Sequence, residues 1–532
     1  MSGLSILLSA MLGAAEPQVF HAHGELAGEV TSTSVILQSR LTSAEKPADG
    51  DVPGIAGVGL FELSEHDDFR SSRKTDWLHA EPDHDFIIKV KVDGLKPATR
   101  YYYRLIFGSN RDATQTGETC SFRTLQGSDG TDEASFVVVT GMNYMSFHYG
   151  KVKNGKRTGV GAYQGDDKQL GFPALATIAR MKPDFFVGTG DNVYYDSHDD
   201  QEATELKDLR RKWHEQFVQP RFVELFRHVP TYWEKDDHDH RYNDCDCAGN
   251  RAPLSDLGIR TFREQVPIVD PLDPTAKTYR THRVNKHLQI WLVEGRDYRD
   301  PNRMPDGPDK TLWGAEQIAW LKRTLLESDA TWKLLISPTP MVGPDDAYKI
   351  DNHTNHKGFR HEGRAFFDWI KERQFDQKGF HVICGDRHWQ YHSVDPTGIE
   401  EFSSGALVDS NSRLGRDPGD PKSTDPDAKI KQLHSQTRAS GGFLKVTVAT
   451  DGSIRFEFFD ELGKSLYHTV KPSPESLSVL QEDGSGLLRD HLLERTSGSN
   501  AGNDRFSAAC MASLSIVSGN SQVGPKTQRS QA

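Results

Sequence analysis

Three short stretches bring carboxylates, imidazoles and glycines together in a pattern suited to holding cations. PDFFVGTGDNVYYD (183–196) passes from Phe185, Phe186 and Val187 into Gly188, Gly190 and Asp191, with Tyr194 three residues further on. TYWEKDDHDHRYN (231–243) sets Asp236, Asp237, His238, Asp239 and His240 in consecutive positions after an aromatic run. FHVICGDRHW (380–389) ends Val382, Ile383 and Cys384 with Gly385, Asp386 and His388. Each apolar run predicts a buried strand, and open α/β sheets bind ligands beyond the carboxyl ends of their strands. Carboxylate, imidazole and amide oxygen are ligand types for iron, manganese, zinc or calcium. One Gly-Asp turn alone is an ordinary polar loop. Three ligand-rich strand ends in one chain point to a metal centre.

The elements around these stretches read as two kinds of structure. Residues 23–126 are all-β: GEVTSTSVILQSRL (28–41) alternates apolar and polar residues, Phe86 to Phe107 holds two strands, and Cys120 to Thr124 closes the module. That spacing predicts an immunoglobulin- or fibronectin-like sandwich. Residues 127–134 read as a polar linker. From 135 to 470 buried strands alternate with helices. They include a strand at Phe136 to Val139, a helix at Pro173 to Met181 and helical periodicity from Leu206 to Phe226. A hairpin-like pair (278–284, 287–294), a helix at 314–328 and a strand at 332–337 follow. The loop DNHTNHKGFRHEG, with His353, His356 and His361, is either a substrate-contacting lid or an exposed polar connection. Residues 471–532 lack the apolar content for a core and are expected to be disordered, with one helix-like piece at 485–495.

Composition narrows the function classes. The chain has 532 residues, 36% hydrophobic and 26% charged, as expected of a globular protein of two or three domains. A formal net charge of −12 argues against nucleic-acid binding, which needs a basic footprint. Five cysteines do not make a disulfide framework, and Cys245 and Cys247 are too close to bridge each other. No run beyond the N-terminus is long enough to span a bilayer. Residues 1–22 read as a leader whose segment Leu4 to Ala15 is like the apolar core of a secretory signal, although its basic region is missing. A secreted or periplasmic protein is the expectation.

GTGDNVYYD, YWEKDDHDHRYND, EGRDYRD and CGDRHW, in this order, resemble the motif series of the alkaline phosphatase D family, the PhoD-like metallophosphatases. GLKPATRYYYRL resembles part of the domain that precedes the catalytic one in that family. The resemblance covers roughly residues 23 to 470 and implies an α/β fold: a four-layer αββα calcineurin-like phosphoesterase sandwich after a small β domain. It implies ferric iron with calcium and hydrolysis of small-molecule phosphate monoesters or diesters. Asp191 would bridge the metals and Tyr194 would bind iron as a phenolate; Asn243, Asp386 and His388 match further ligands. Asp237, His238 and Arg296 fall in matching motifs, as residues that support the ligands or meet the substrate.

One departure matters. The family's first motif carries a cysteine ligand where this chain has Gly141, in TGMNYM, and Asn143 is a candidate replacement. Zinc or manganese then stand as alternative metals. In the expected mechanism a metal-activated hydroxide attacks phosphorus in line, His238 protonates the leaving group and Arg296 binds a phosphoryl oxygen. Arg296 has a second reading, an ion pair with Asp297 or Asp300. Hydrolysis of another oxyanion ester such as a sulfate, and a non-catalytic cell-surface binding role, remain the alternative functions. The oligomeric state is left open.

Overall fold

The computed structural model describes residues 17–474, apart from 49, 154–155 and 198–201. Residues 1–16 of the expected leader, most of the expected tail with its helix-like piece, and Cys510 lie outside the described residues, whereas residues 17–22 join the β module, with Val19 buried and Phe20 paired with Thr42.

Two sheets face each other at the centre. In the first, the strands Ala134–Val139, Phe185–Thr189 and Thr231–Glu234 run parallel, and Gly442–Val448 pairs antiparallel with the first of them. In the second, Leu288–Leu292, Trp332–Ser337, Phe380–Cys384 and Glu400–Ser404 are parallel. Successive side chains of a strand point to opposite faces, so each central strand feeds two cores. Phe136, Val138, Phe185 and Val187 turn inward and meet Ile290, Leu334, Ile336 and Ile383 of the opposite sheet. Val137, Val139 and Phe186 turn outward, against Leu175, Ile178, Leu209 and Trp213 of the helices Pro173–Met181 and Leu206–Phe217. On the far side Trp291, Leu335 and Val382 pack against Leu321, Leu325, Phe366 and Ile370 of the helices Gly314–Glu327 and Arg360–Glu372. The result is helix, sheet, sheet, helix, the expected four layers. Burial of strands on both faces is why these segments read as unbroken apolar runs.

Where one helical pattern was expected from Leu206 to Phe226, the structure has two helices, Leu206–Phe217 and Pro220–Phe226. Pro220 has no backbone N–H to give a preceding turn and fits the first turn of a new helix.

The N-terminal residues form a β module with a core of its own, including Val35, Leu37, Phe61, Leu63, Tyr103 and Phe122. It differs from a free-standing sandwich. Its strands Glu25–Gly28, Ser34–Arg40 and Ile87–Asp93 continue the first catalytic sheet, through a parallel pairing of Gly28 with Thr231. Arg280 and His282 of the second sheet both reach Glu29, at 2.6 and 3.0 Å. The module is joined to the catalytic layers by backbone and by charge. Among the described residues no helix is long and apolar enough to cross a membrane.

Candidate metal centre

Parallel pairing decides where the motifs meet. Thr189 lies opposite Glu234 in register, so the turns that follow, at Gly190-Asp191 and Lys235-Asp236, leave the sheet side by side. The third motif comes from the opposite sheet. A Cβ on Gly385 would sit 2.3 Å from the Thr189 carbonyl oxygen, so the Gly385 turn can approach the first sheet only without a side chain. All three ligand-rich ends thereby reach one site.

Asp191 is at its centre, 1% exposed and at a positive φ of 54°. Its Oδ2 accepts from Tyr194 Oη at 2.8 Å and lies 3.0 Å from His388 Nε2. Its Oδ1 is buried with no hydrogen-bond partner. Burial, with the neighbouring charges of Asp237 and Asp386, pushes the carboxyl up to about 8. An anion held in such a place is costly and calls for a cation. Burial and the Asp191 charge likewise push the Tyr194 phenol well above its ordinary value.

A second group stands beside the first. Ligand atoms of Asp191, Asp237 and His238 lie within 4.8 Å of one another, and so do those of Asp237, Asp244 and Asp351. Asp237 belongs to both groups. Burial opposes its charge, yet His238, Arg296 and Lys349 hold it well below the usual carboxylate range. His238 Nδ1 meets Asp196 Oδ1 at 2.6 Å, and its ring lies 4.2 Å from that of Tyr194. Burial works against an imidazolium at His238, but Asp196, Asp237 and Asp191 outweigh it and raise the pKa. The orphaned Asp191 oxygen, a buried orphaned oxygen on Asp351 and the shared Asp237 are a donor set that fits metal ions.

The remaining expected residues divide. Asp386 is outside both tight groups; it pairs with Arg387, which also takes Asp345. Burial opposes its ionisation, but Arg387 and Lys349 hold the carboxyl down at about 2, and its charge still acts on Asp191 and Asp237. Asn243 is exposed, and its backbone N–H donates to Asp196 Oδ2 at 2.8 Å. Asn143 caps the helix Tyr144–Tyr149: its side-chain oxygen accepts from the Ser146 N–H at 2.8 Å. His353 of the polar loop is fully buried against Glu362, whereas His356 is exposed.

Arg296 is corrected. It is fully buried, and its fork is taken by Asp236 (2.7 Å), the Cys245 carbonyl (2.7 Å) and Asp351 (3.1 Å). The ion-pair reading holds, with partners other than Asp297 or Asp300. Asp297 and Glu294 instead hold Lys235, at 2.5 and 2.9 Å. The EGRD stretch is therefore a clamp between the two sheets, and every guanidinium nitrogen of the buried Arg296 already has a protein partner.

Sequence reasoning missed Asp196, Asp244, Asp351 and Asn411. The first three stand inside or next to stretches already singled out. Asn411 had no signal: its Nδ2 donates to Tyr194 Oη at 2.7 Å and to the Gly141 carbonyl at 3.2 Å.

Fold and site together define a metal-dependent hydrolase of the αββα sandwich class. The PhoD-like phosphatase family model matches residues 158–454, and the model of that family's N-terminal domain matches 9–126. The chain belongs to the PhoD-like phosphatase family and is a metal-dependent hydrolase of phosphate esters. It is 24% identical over 446 residues to alkaline phosphatase D of Bacillus subtilis (strain 168), across 77% of this chain and 72% of that relative. The solved structure of PhoD superposes with a TM-score of 0.67 at 19% identity, covering 85% of this chain and 90% of the other. A purple acid phosphatase from yellow lupin (Lupinus luteus) seeds superposes with a TM-score of 0.56 at 13% identity, covering 84% and 73%.

Proposed function

We propose that this protein hydrolyses small-molecule phosphate esters at a centre built on Asp191, Tyr194, Asp237 and His388, with ferric iron and calcium as its metals. The observation that carries the reading is the buried, unpartnered Asp191 Oδ1, in a carboxylate that also meets the Tyr194 phenol and the His388 imidazole. A phenol with an ordinary pKa of about 10 becomes a ligand only where a strongly charged cation displaces its proton, and Tyr194 is harder still to ionise. That favours a trivalent ion beside Tyr194. Zinc or manganese are the alternatives.

Bound cations supply Lewis-acid polarisation of the phosphoryl oxygens and a water of lowered pKa. The chain does the rest. Asp196 holds His238 at Nδ1, which leaves Nε2 as the nitrogen to carry a transferable proton, and against burial the carboxylates of Asp196, Asp237 and Asp191 raise the imidazole pKa. It is thus the group to protonate the leaving oxygen. The Tyr194 ring packs against that imidazole, tilted by 32°. Behind the third motif, Trp389 and Tyr391 are buried in a small cluster with Cys384. The apolar segment Leu4 to Ala15 supports a secreted or periplasmic location.

The test is metal analysis of the purified protein, followed by chelation and reconstitution with iron and calcium, zinc, or manganese, assayed on chromogenic monoesters, diesters and sulfate esters. Activity restored by iron with calcium and confined to phosphate esters is the expected result. A fully active, iron-free enzyme would overturn the metal assignment.

A further inference from the structure

Beside bound metal ions, a side-chain cation can meet the substrate's own charge, and Arg296 was the residue the sequence offered for it. Both Arg296 and Arg387 are 0% exposed, and each is paired with two buried carboxylates, Asp236 and Asp351 for the first and Asp345 and Asp386 for the second. Lys349 is also buried and tied to Asp244. Arg413 is placed differently. Its backbone N–H donates to the His388 carbonyl at 3.0 Å, which fixes it to the turn that carries His388. Its guanidinium lies 4.5 Å from the centroid of the Trp389 ring, and Nη1 meets Asp346 Oδ2 at 2.7 Å. Its side chain is 38% exposed, and among the described residues Nε and Nη2 have no hydrogen-bond partner. After burial, its charge is the largest influence on the His388 ring.

We propose that Arg413 is the substrate-binding cation of this site, receiving a terminal phosphoryl oxygen on its free Nε–Nη2 edge, and that it favours monoesters over diesters. The proposal rests on the phosphoesterase reading above and refines its substrate class. A planar guanidinium presents two parallel donors to a phosphate, and stacking on Trp389 together with the tie to Asp346 orients that fork in advance. A phosphate monoester presents three terminal oxygens and up to two charges, whereas a diester presents two oxygens and one charge. A fork that takes one terminal oxygen therefore contributes more to a monoester. Asp346 is a positioning residue: its other oxygen accepts from Arg416 Nε at 2.6 Å, so it anchors two arginines of the same segment.

Arg413→Gln, Arg413→Lys and Asp346→Asn are to be compared with the wild-type holoenzyme on a chromogenic monoester and a chromogenic diester, with inorganic phosphate as competitive inhibitor. Losing a charge-assisted pair predicts that Arg413→Gln raises the monoester KM and the phosphate inhibition constant by about 10- to 100-fold, and the diester KM by less than about 3-fold. Arg413→Lys is expected to fall between wild type and Gln, because it keeps the charge without the fork. Asp346→Asn, which keeps the guanidinium and releases its anchor, is expected to change the phosphate constant by less than about 5-fold. An unchanged phosphate constant in both Arg413 variants would overturn the proposal, and so would equal losses on monoester and diester. Asp191→Asn serves as the separate arm: activity remaining there would reject the metal-centre reading, whatever Arg413 does.

Discussion

Asn411 Nδ2 stands 2.7 Å from Tyr194 Oη although 217 positions separate the two residues, and the same amide nitrogen reaches the Gly141 carbonyl. One neutral side chain thus connects the expected phenolate ligand to the position where the family's cysteine is missing. A Cβ built on Gly141 would lie 3.3 Å from that nitrogen, so the Asn411 amide fills the space into which a side chain at 141 would grow. As a donor it favours a charged oxygen on Tyr194, and Asp191 opposes it.

This arrangement predicts a spectroscopic series. Iron-loaded protein is expected to show a visible phenolate-to-iron band, and Tyr194→Phe to abolish it while the fold is kept. Asn411→Leu should retain the band but shift it to longer wavelength, because a phenolate without its donor is easier to oxidise. An unchanged spectrum in Asn411→Leu would show that the amide does not touch the ligand oxygen in the holoenzyme.

Restoring the family cysteine is expected to fail. At Gly141 the backbone has φ of +67°, and a Cβ there would lie 2.8 Å from the Ala406 Cβ. Gly141→Cys should cost about 1–3 kcal/mol of stability, read as a lower denaturation midpoint in urea. A cysteine variant as stable as wild type would mean that the Ala406 segment yields easily.

Asp191→Asn and His388→Ala should each lower turnover at least about a thousand-fold and reduce bound metal, with circular dichroism unchanged. The two side chains are 3.0 Å apart, and neither belongs to a hydrophobic core cluster, so the fold is expected to survive either substitution. Metal content by elemental analysis checks this. A variant with full metal and full activity would remove Asp191 or His388 from the centre.

A charged clasp outside the site predicts acid sensitivity. His214 of the helix Leu206–Phe217 meets Asp51 at 2.8 Å and Asp85 at 2.6 Å, both residues of the N-terminal module. Burial favours protonated Asp85, but the His214 and Arg40 partners outweigh it and depress its pKa. A carboxyl depressed in the folded state contributes its full stability above the unfolded value of about 3.9, and loses it as the pH falls through the depressed value. Asp85→Asn is therefore expected to cost about 3 kcal/mol at pH 7. The difference from wild type should shrink below about pH 4 in thermal unfolding. A difference independent of pH would assign the loss to packing alone.

Much of this protein was legible in its sequence, for local reasons. Strands covered on both faces must be apolar at every position, so Phe185, Phe186, Val187 and Val382, Ile383, Cys384 announce themselves, and the Gly-Asp turns after them mark where a ligand site lies. The order of the four motifs resembles a family whose fold and metal-dependent hydrolysis of phosphate esters the structure and the comparisons bear out. Pairing between distant segments was not legible. Whether Arg296 faces substrate or a buried carboxylate depends on Asp236 and Asp351, which reach it from another strand end and from the polar loop before the helix Arg360–Glu372. Asn411 ends a single 3-10 turn, Asp409–Asn411, with no periodicity or motif, and only the meeting of that turn with Gly141 and Tyr194 gives it a role. Likewise the continuation of the N-terminal strands into the catalytic sheet rests on a pairing of Gly28 with Thr231, 203 positions apart. Backbone hydrogen bonds of that kind carry no side-chain signature, so tertiary structure alone decides them.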